Sequence, residues 1–212
     1  MKKWIALCVA ALLLLPMLSG CGKEAATPAD TTAPVETTEA STPVGTLYVS
    51  FGATLEILYD REGNALTLTG TNEAGKAIAE VKQDQLNKGC VYTLRSILRY
   101  VITEQLFGDA KTVTVRIGAN DPLPAPDFLE VIGMDCQYLL DEELDDVDMY
   151  CLVGDMLDEK GNLTFDTAQM LAGKYLKAEA TPAEATPNSA FAFTADGKTC
   201  TVDAFTGLIV GQ

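Results

Sequence analysis

The 212-residue chain predicts an α+β protein of two small units, a β-β-β-α-α-β antiparallel sheet with helices on one face followed by an α-β-β unit. Three observations carry that expectation. Apolar residues alternate through 47–59, a helical apolar stripe follows Gly89, and an Asp-Gly pair separates two alternating runs near 191–202.

In the first unit, Leu47, Val49 and Phe51 alternate with Tyr48 and Ser50, and the alternation resumes after Gly52-Ala53 at Leu55, Ile57 and Tyr59. Asp60-Arg61-Glu62-Gly63-Asn64 reads as a turn, and Leu66 and Leu68 start a third strand. Thr71-Asn72-Glu73 caps a short helix through Ile78 and Val81. A longer helix begins near Gly89, with Val91, Leu94, Leu98, Val101 and Gln105 in register beside Ile97 and Ile102, and Gly108 suits its stop. Arg95 and Arg99 lie four apart beside that stripe, and 111–117 is again a strand.

Prolines 122, 124 and 126 interrupt the chain, and Asp127 stands at the N-cap position of a helix over 128–134. From Asp141 to Asp148 six of eight residues are acidic, which hides any period. Further on, Phe165, Ala168, Leu171, Ala172, Tyr175 and Leu176 share a helix face that Thr164 caps. Proline turns at Pro182 and Pro187 come next. Phe191 and Phe193, Asp196-Gly197, then Cys200 and Val202 form a hairpin signal, and a Thr206-Gly207 turn leads to Leu208, Ile209 and Val210.

The first 20 residues have the order of a secretory signal: Lys2-Lys3, an apolar run from Trp4 to Leu18, then small residues. The run is short for a membrane span. Leu18-Ser19-Gly20-Cys21 resembles the lipobox of bacterial lipoproteins, which implies that Cys21 takes a diacylglyceryl group and becomes the first residue of the mature chain. Two or more acyl chains, at about 0.8 kcal/mol per buried CH₂, make a lasting anchor. The expected location is therefore the extracytoplasmic face of a cell membrane. Residues 21–45 are Thr, Pro, Ala and Glu with few large apolar side chains, a disordered tether. The remaining boundaries are 46–120 for the first unit, 121–160 for an acidic connection and 161–212 for the last unit.

Loss of Lys2 and Lys3 with the signal leaves 13 basic against 30 acidic side chains, a net charge of about −17. Phosphate backbones and anionic headgroups repel such a surface, so nucleic acid is not an expected partner. Cys8 leaves with the signal and Cys21 carries lipid. Cys90, Cys136, Cys151 and Cys200 remain, and outside the cytoplasm four thiols permit two disulfides in any of three pairings, or serve as small buried hydrophobes.

The chain has no histidine, which removes the commonest general base and metal ligand together with Ser-His and Cys-His nucleophiles. A glycosidase needs only two carboxylates, but nothing in the sequence singles out a pair. Asp158-Glu159-Lys160-Gly161-Asn162-Leu163-Thr164 has part of the look of an EF-hand loop. With Gly161 at the glycine place, however, positions one, five and twelve fall on Met156, Lys160 and Thr167, so three oxygen ligands fail. Phosphate loops, Cys-x-x-Cys pairs and basic aromatic surfaces are absent from the sequence. No catalytic residue, metal or cofactor is expected, and Cys21 is the one assigned site.

Two stretches resemble known extracytoplasmic modules. Val49-Ser50-Phe51-Gly52-Ala53-Thr54-Leu55-Glu56-Ile57, Asp60 to Asn64, and Gly70-Thr71-Asn72-Glu73-Ala74-Gly75-Lys76 resemble the middle, outward-facing domain of RsgI-type anti-sigma factors, over about residues 46–120. That family is associated with self-cleavage at an Asn-Pro bond and with relaying polysaccharide signals. Here Gly52-Ala53 stands where Asn-Pro would fall, so the resemblance implies a fold and a location without self-cleavage. Leu163 to Ala168, through Cys200-Thr201-Val202-Asp203-Ala204-Phe205-Thr206-Gly207-Leu208-Ile209, is similar to a PepSY module and its "Val-Asp-Ala-x-Thr-Gly" ending. The resemblance implies restraint of a peptidase or binding of another envelope partner. The expected function is non-catalytic binding or regulation at the cell envelope, through an envelope protein or polysaccharide. The alternatives are a glycan hydrolase with paired carboxylates and a purely structural surface protein.

Overall fold

The computed structural model describes residues 41–183 and 189–211. The expected signal peptide, Cys21, nearly all of the tether and the Pro187 turn lie outside the described residues.

Four strands are antiparallel: β1 (Gly45–Ser50), β2 (Thr54–Tyr59), β3 (Ala65–Gly70) and β4 (Thr112–Ile117). Between β3 and β4 come α1 (Glu73–Val81) and α2 (Cys90–Thr103). Then α3 (Phe128–Glu143) leads to β5 (Asp148–Cys151), which pairs parallel to β4, as a helical crossover allows. The sheet order is β3-β2-β1-β4-β5. Its inward side chains, Leu47, Val49, Leu55, Ile57, Val113 and Val115, are at most 1% exposed and share one core with the apolar stripes of α1, α2 and α3. Burial of each such side chain contributes about 1.5–3 kcal/mol.

Local chemistry sets these boundaries. Asn72 accepts a hydrogen bond from Gly75 N at 2.8 Å and so caps α1, as its sequence position predicts. The second helix ends at Thr103, before the expected stop, because Gln105 already takes a left-handed backbone (φ 56°); Gly108 serves the loop beyond. Asp127 stands at the start of α3 without a side-chain capping bond. That helix runs nine residues past the expected Met134, since Cys136, Leu139 and Leu140 continue the buried stripe of Phe128, Leu129 and Ile132. The acidic run is thereby divided: Asp141 to Glu143 end α3, and Asp148 opens β5.

The second sheet has order β6-β7-β8-β9 and is antiparallel throughout. Helix α4 (Phe165–Leu176) precedes β6 (Thr181–Pro182), β7 (Ala190–Ala195), β8 (Lys198–Asp203) and β9 (Ile209–Gly211). Thr164 caps α4, accepting from Thr167 N at 3.3 Å. Asp196 and Gly197, with φ of 51° and 77°, make the two-residue hairpin turn that their sequence announces. Pro182, expected in a turn, ends a short edge strand against Phe193, a place where a missing N–H costs no ladder bond. Ala168, Leu171, Ala172, Phe193, Cys200 and Val202 form this sheet's core with α4.

Candidate binding cleft

The polar face of the first sheet carries Tyr48, Thr114 and Arg116, and the turn after β8 docks there. Arg116 is 1% exposed. Its Nη1 donates to the carbonyl oxygens of Gly161 and, at 2.9 Å, Phe205. The guanidinium stands 4.1 Å from the centre of the Phe205 ring, and Tyr48 meets that ring edge-on at 5.0 Å. Burial lowers the pKa of Arg116; its carbonyl and ring contacts offset part of the lost hydration. Thr114 Oγ1 donates to Thr206 O at 2.6 Å.

The docked turn is built from the Val202-Asp203-Ala204-Phe205-Thr206-Gly207 run. Asp203 Oδ1 accepts from Phe205 N (3.0 Å), Thr206 N (2.7 Å) and Thr206 Oγ1 (2.8 Å), and Leu208 N donates to Thr206 Oγ1 at 3.1 Å. Gly207 has φ +71°, and a Cβ there would lie 3.0 Å from the Thr114 methyl, so glycine answers both the conformation and the close approach. The other anchor repeats an earlier motif. Asp60 and Asp158 each open an Asp-x-x-Gly-Asn turn and accept from the backbone N–H groups two and four residues on. Burial alone would raise the Asp60 carboxyl, but bonds from Asn64 and Glu62 hold it below the ordinary range. The bond from Asn162 N does the same for Asp158. The EF-hand-like stretch is thus a self-satisfied turn that hands the Gly161 carbonyl to Arg116.

Beside this junction a cleft of about 290 Å³ opens between the β1–β2 turn, the 106–111 segment, Tyr175 of α4 and the start of β9. Asp109, Lys111 and Tyr175 also line an adjoining hollow of about 410 Å³ that reaches Lys198 and Gly211. Together they form one groove alongside β9. Lys111 and Lys198 make no ion pair among the described residues. Ser50 lines the first part; it is 3% exposed and its Oγ has no hydrogen-bond partner. Asp109 is the only carboxylate among the described lining residues.

The remaining candidates lie elsewhere. Cys90, Cys136, Cys151 and Cys200 are free thiols, and burial pushes them up to about 12, 12, 11 and 11. Within the acidic run, Asp146 pairs with Lys177 (2.7 Å) and Lys174 (3.0 Å), and Asp148 with Lys174 (2.8 Å). Hydrogen bonds from Lys177 and Lys174 lower Asp146 to about 2, and the bonds that Lys174 donates to Asp148 and Asp146 raise Lys174. Part of the run therefore ties α4 to the approach to β5. No cluster of three metal-ligating side chains occurs among the described residues, and no helix among them is long and apolar enough to cross a membrane.

Sequence reasoning singled out none of the cleft's lysines and missed Arg116. The available signal was a charged residue at an outward position of an otherwise uncharged strand, together with the repeated Asp-x-x-Gly-Asn pattern. Comparison with family models, curated proteins and solved structures finds no match to the chain.

Proposed function

We propose that the chain is an extracytoplasmic lipoprotein, anchored through Cys21, that acts by non-catalytic binding or regulation of an envelope partner. In this reading residues 46–120 are an RsgI-middle-like unit, and residues 161–212 are a PepSY-like unit. The observation that carries it is the groove, walled by both sheets' elements, edged by β9 and furnished with two lysines that make no ion pair among the described residues. Glycan hydrolysis requires two facing carboxylates, and Asp109 stands alone among the described lining residues.

The test is affinity capture with the full chain from its own solubilised envelope, with wall-polysaccharide binding assayed in parallel. Enrichment of a peptidase or membrane protein supports the regulatory form of the proposal. Binding of polysaccharide alone favours the sensing form, and hydrolysis of the glycan would overturn the non-catalytic reading. Cys21→Ser is expected to move the protein from the membrane fraction to the soluble one; an unmodified wild-type N-terminus in a soluble protein would refute the anchor.

A further inference from the structure

Strand β9 pairs with β8 on one side only. Asp203 N donates to Leu208 O, and Thr201 stands opposite Val210, so in the antiparallel alternation the N–H and C=O of Val210 point to β8. Those of Ile209 and Gly211 then point outward. Both residues line the groove, Ile209 its first part and Gly211 its second. Outward main-chain groups two residues apart, beside a groove with an apolar wall of Phe51 and Leu106, are what an extended chain needs in order to add as a strand.

Charge selects among extended chains. In a domain with a net charge of about −17 outside its signal, this groove sets Lys111 and Lys198 against Asp109 alone. An acidic segment meets the opposite charge at both lysines.

We propose that the groove binds an extended, acidic peptide segment of a partner protein, added as a strand to the open edge of β9. The proposal rests on the binding reading above and names the partner's chemistry.

The probe is a fluorescein-labelled ten-residue peptide of alternating Glu and Val, titrated into the full chain in detergent micelles by fluorescence anisotropy. Controls are the same peptide with Lys for Glu, and two versions N-methylated along one edge or the other. The Glu peptide should bind at least about tenfold tighter than the Lys peptide, as expected for loss of charge-assisted contacts. N-methylation along one edge should cost about tenfold or more, and along the other much less. Lys111→Glu with Lys198→Glu should invert the charge preference. Ile209→Pro, which removes an outward N–H and leaves the β8 ladder intact, should weaken binding roughly tenfold, with circular dichroism verifying the fold. Equal binding of the Glu and Lys peptides, indifference to N-methylation, or no binding of any peptide overturns the proposal. Envelope capture that survives both sets of substitutions undiminished also overturns it while leaving the binding reading in place; failure of capture by wild type removes that reading itself.

Discussion

At the scale of single residues, Arg116 decides how the C-terminal turn meets the first sheet. It donates to two carbonyl oxygens belonging to separate turns. Arg116→Met keeps the volume and removes the donors, which should cost about 3 kcal/mol in urea unfolding, since charge-assisted hydrogen bonds contribute about 1.5–3 kcal/mol each. A loss below about 1 kcal/mol would show that the junction is held without Arg116, by the Phe205–Tyr48 contact and the Thr114–Thr206 hydrogen bond. The four thiols make a second prediction. Cys90, Cys136 and Cys200 are at most 1% exposed and all four thiols are raised well above neutrality, so iodoacetamide at pH 8 should leave the native protein unlabelled at these positions and modify all four in urea. Rapid native labelling, or a mass lower by a disulfide's two hydrogens, would contradict the free, buried assignment.

At the scale of elements, the Asp146, Asp148, Lys174 and Lys177 group joins α4 to the loop before β5. Asp146 is lowered in the folded state, so its contribution is complete above the unfolded carboxyl pKa and fades as pH falls through about 2. Lys174 is raised, so its contribution is complete below its ordinary value of 10.5 and fades at higher pH. Asp146→Asn should therefore lower Tm between about pH 4 and 10, and the difference from wild type should vanish near pH 2. An undiminished Tm difference at pH 2 would contradict the ion-pair assignment, since Asn takes the left-handed backbone of that position (φ 64°) as readily as Asp.

Most of these elements were legible in the sequence because each carries its own local signal: period two in β1, β2 and β4, a capping Asn72 or Thr164, and Asp196-Gly197 at the hairpin. The acidic run concealed the end of α3 and the start of β5, since carboxylates broke the visible pattern although Leu139 and Leu140 continued the buried stripe. Pairing of β5 with β4 depends on residues 36 apart in the chain, which no local period reports. The groove was illegible for the same reason. Lys111, Tyr175, Lys198 and Ile209 meet only after both sheets have formed.

At the scale of the whole molecule, the described residues form one compact unit in which the polar face of the first sheet serves as the seat for the last turn. Chemistry that requires histidine is closed to the chain, while the open edge of β9 and the lysine-flanked groove are what the proposed recognition would use. The most direct test of that account is site-specific photo-crosslinking in intact cells, with benzoylphenylalanine replacing Val210 on β9 and, in a separate strain, Met134 on the outer face of α3; both residues are exposed. The account predicts a discrete crosslinked envelope protein from Val210, diminished by Lys111→Glu with Lys198→Glu, and none from Met134. A discrete product from Met134 with none from Val210 would contradict it.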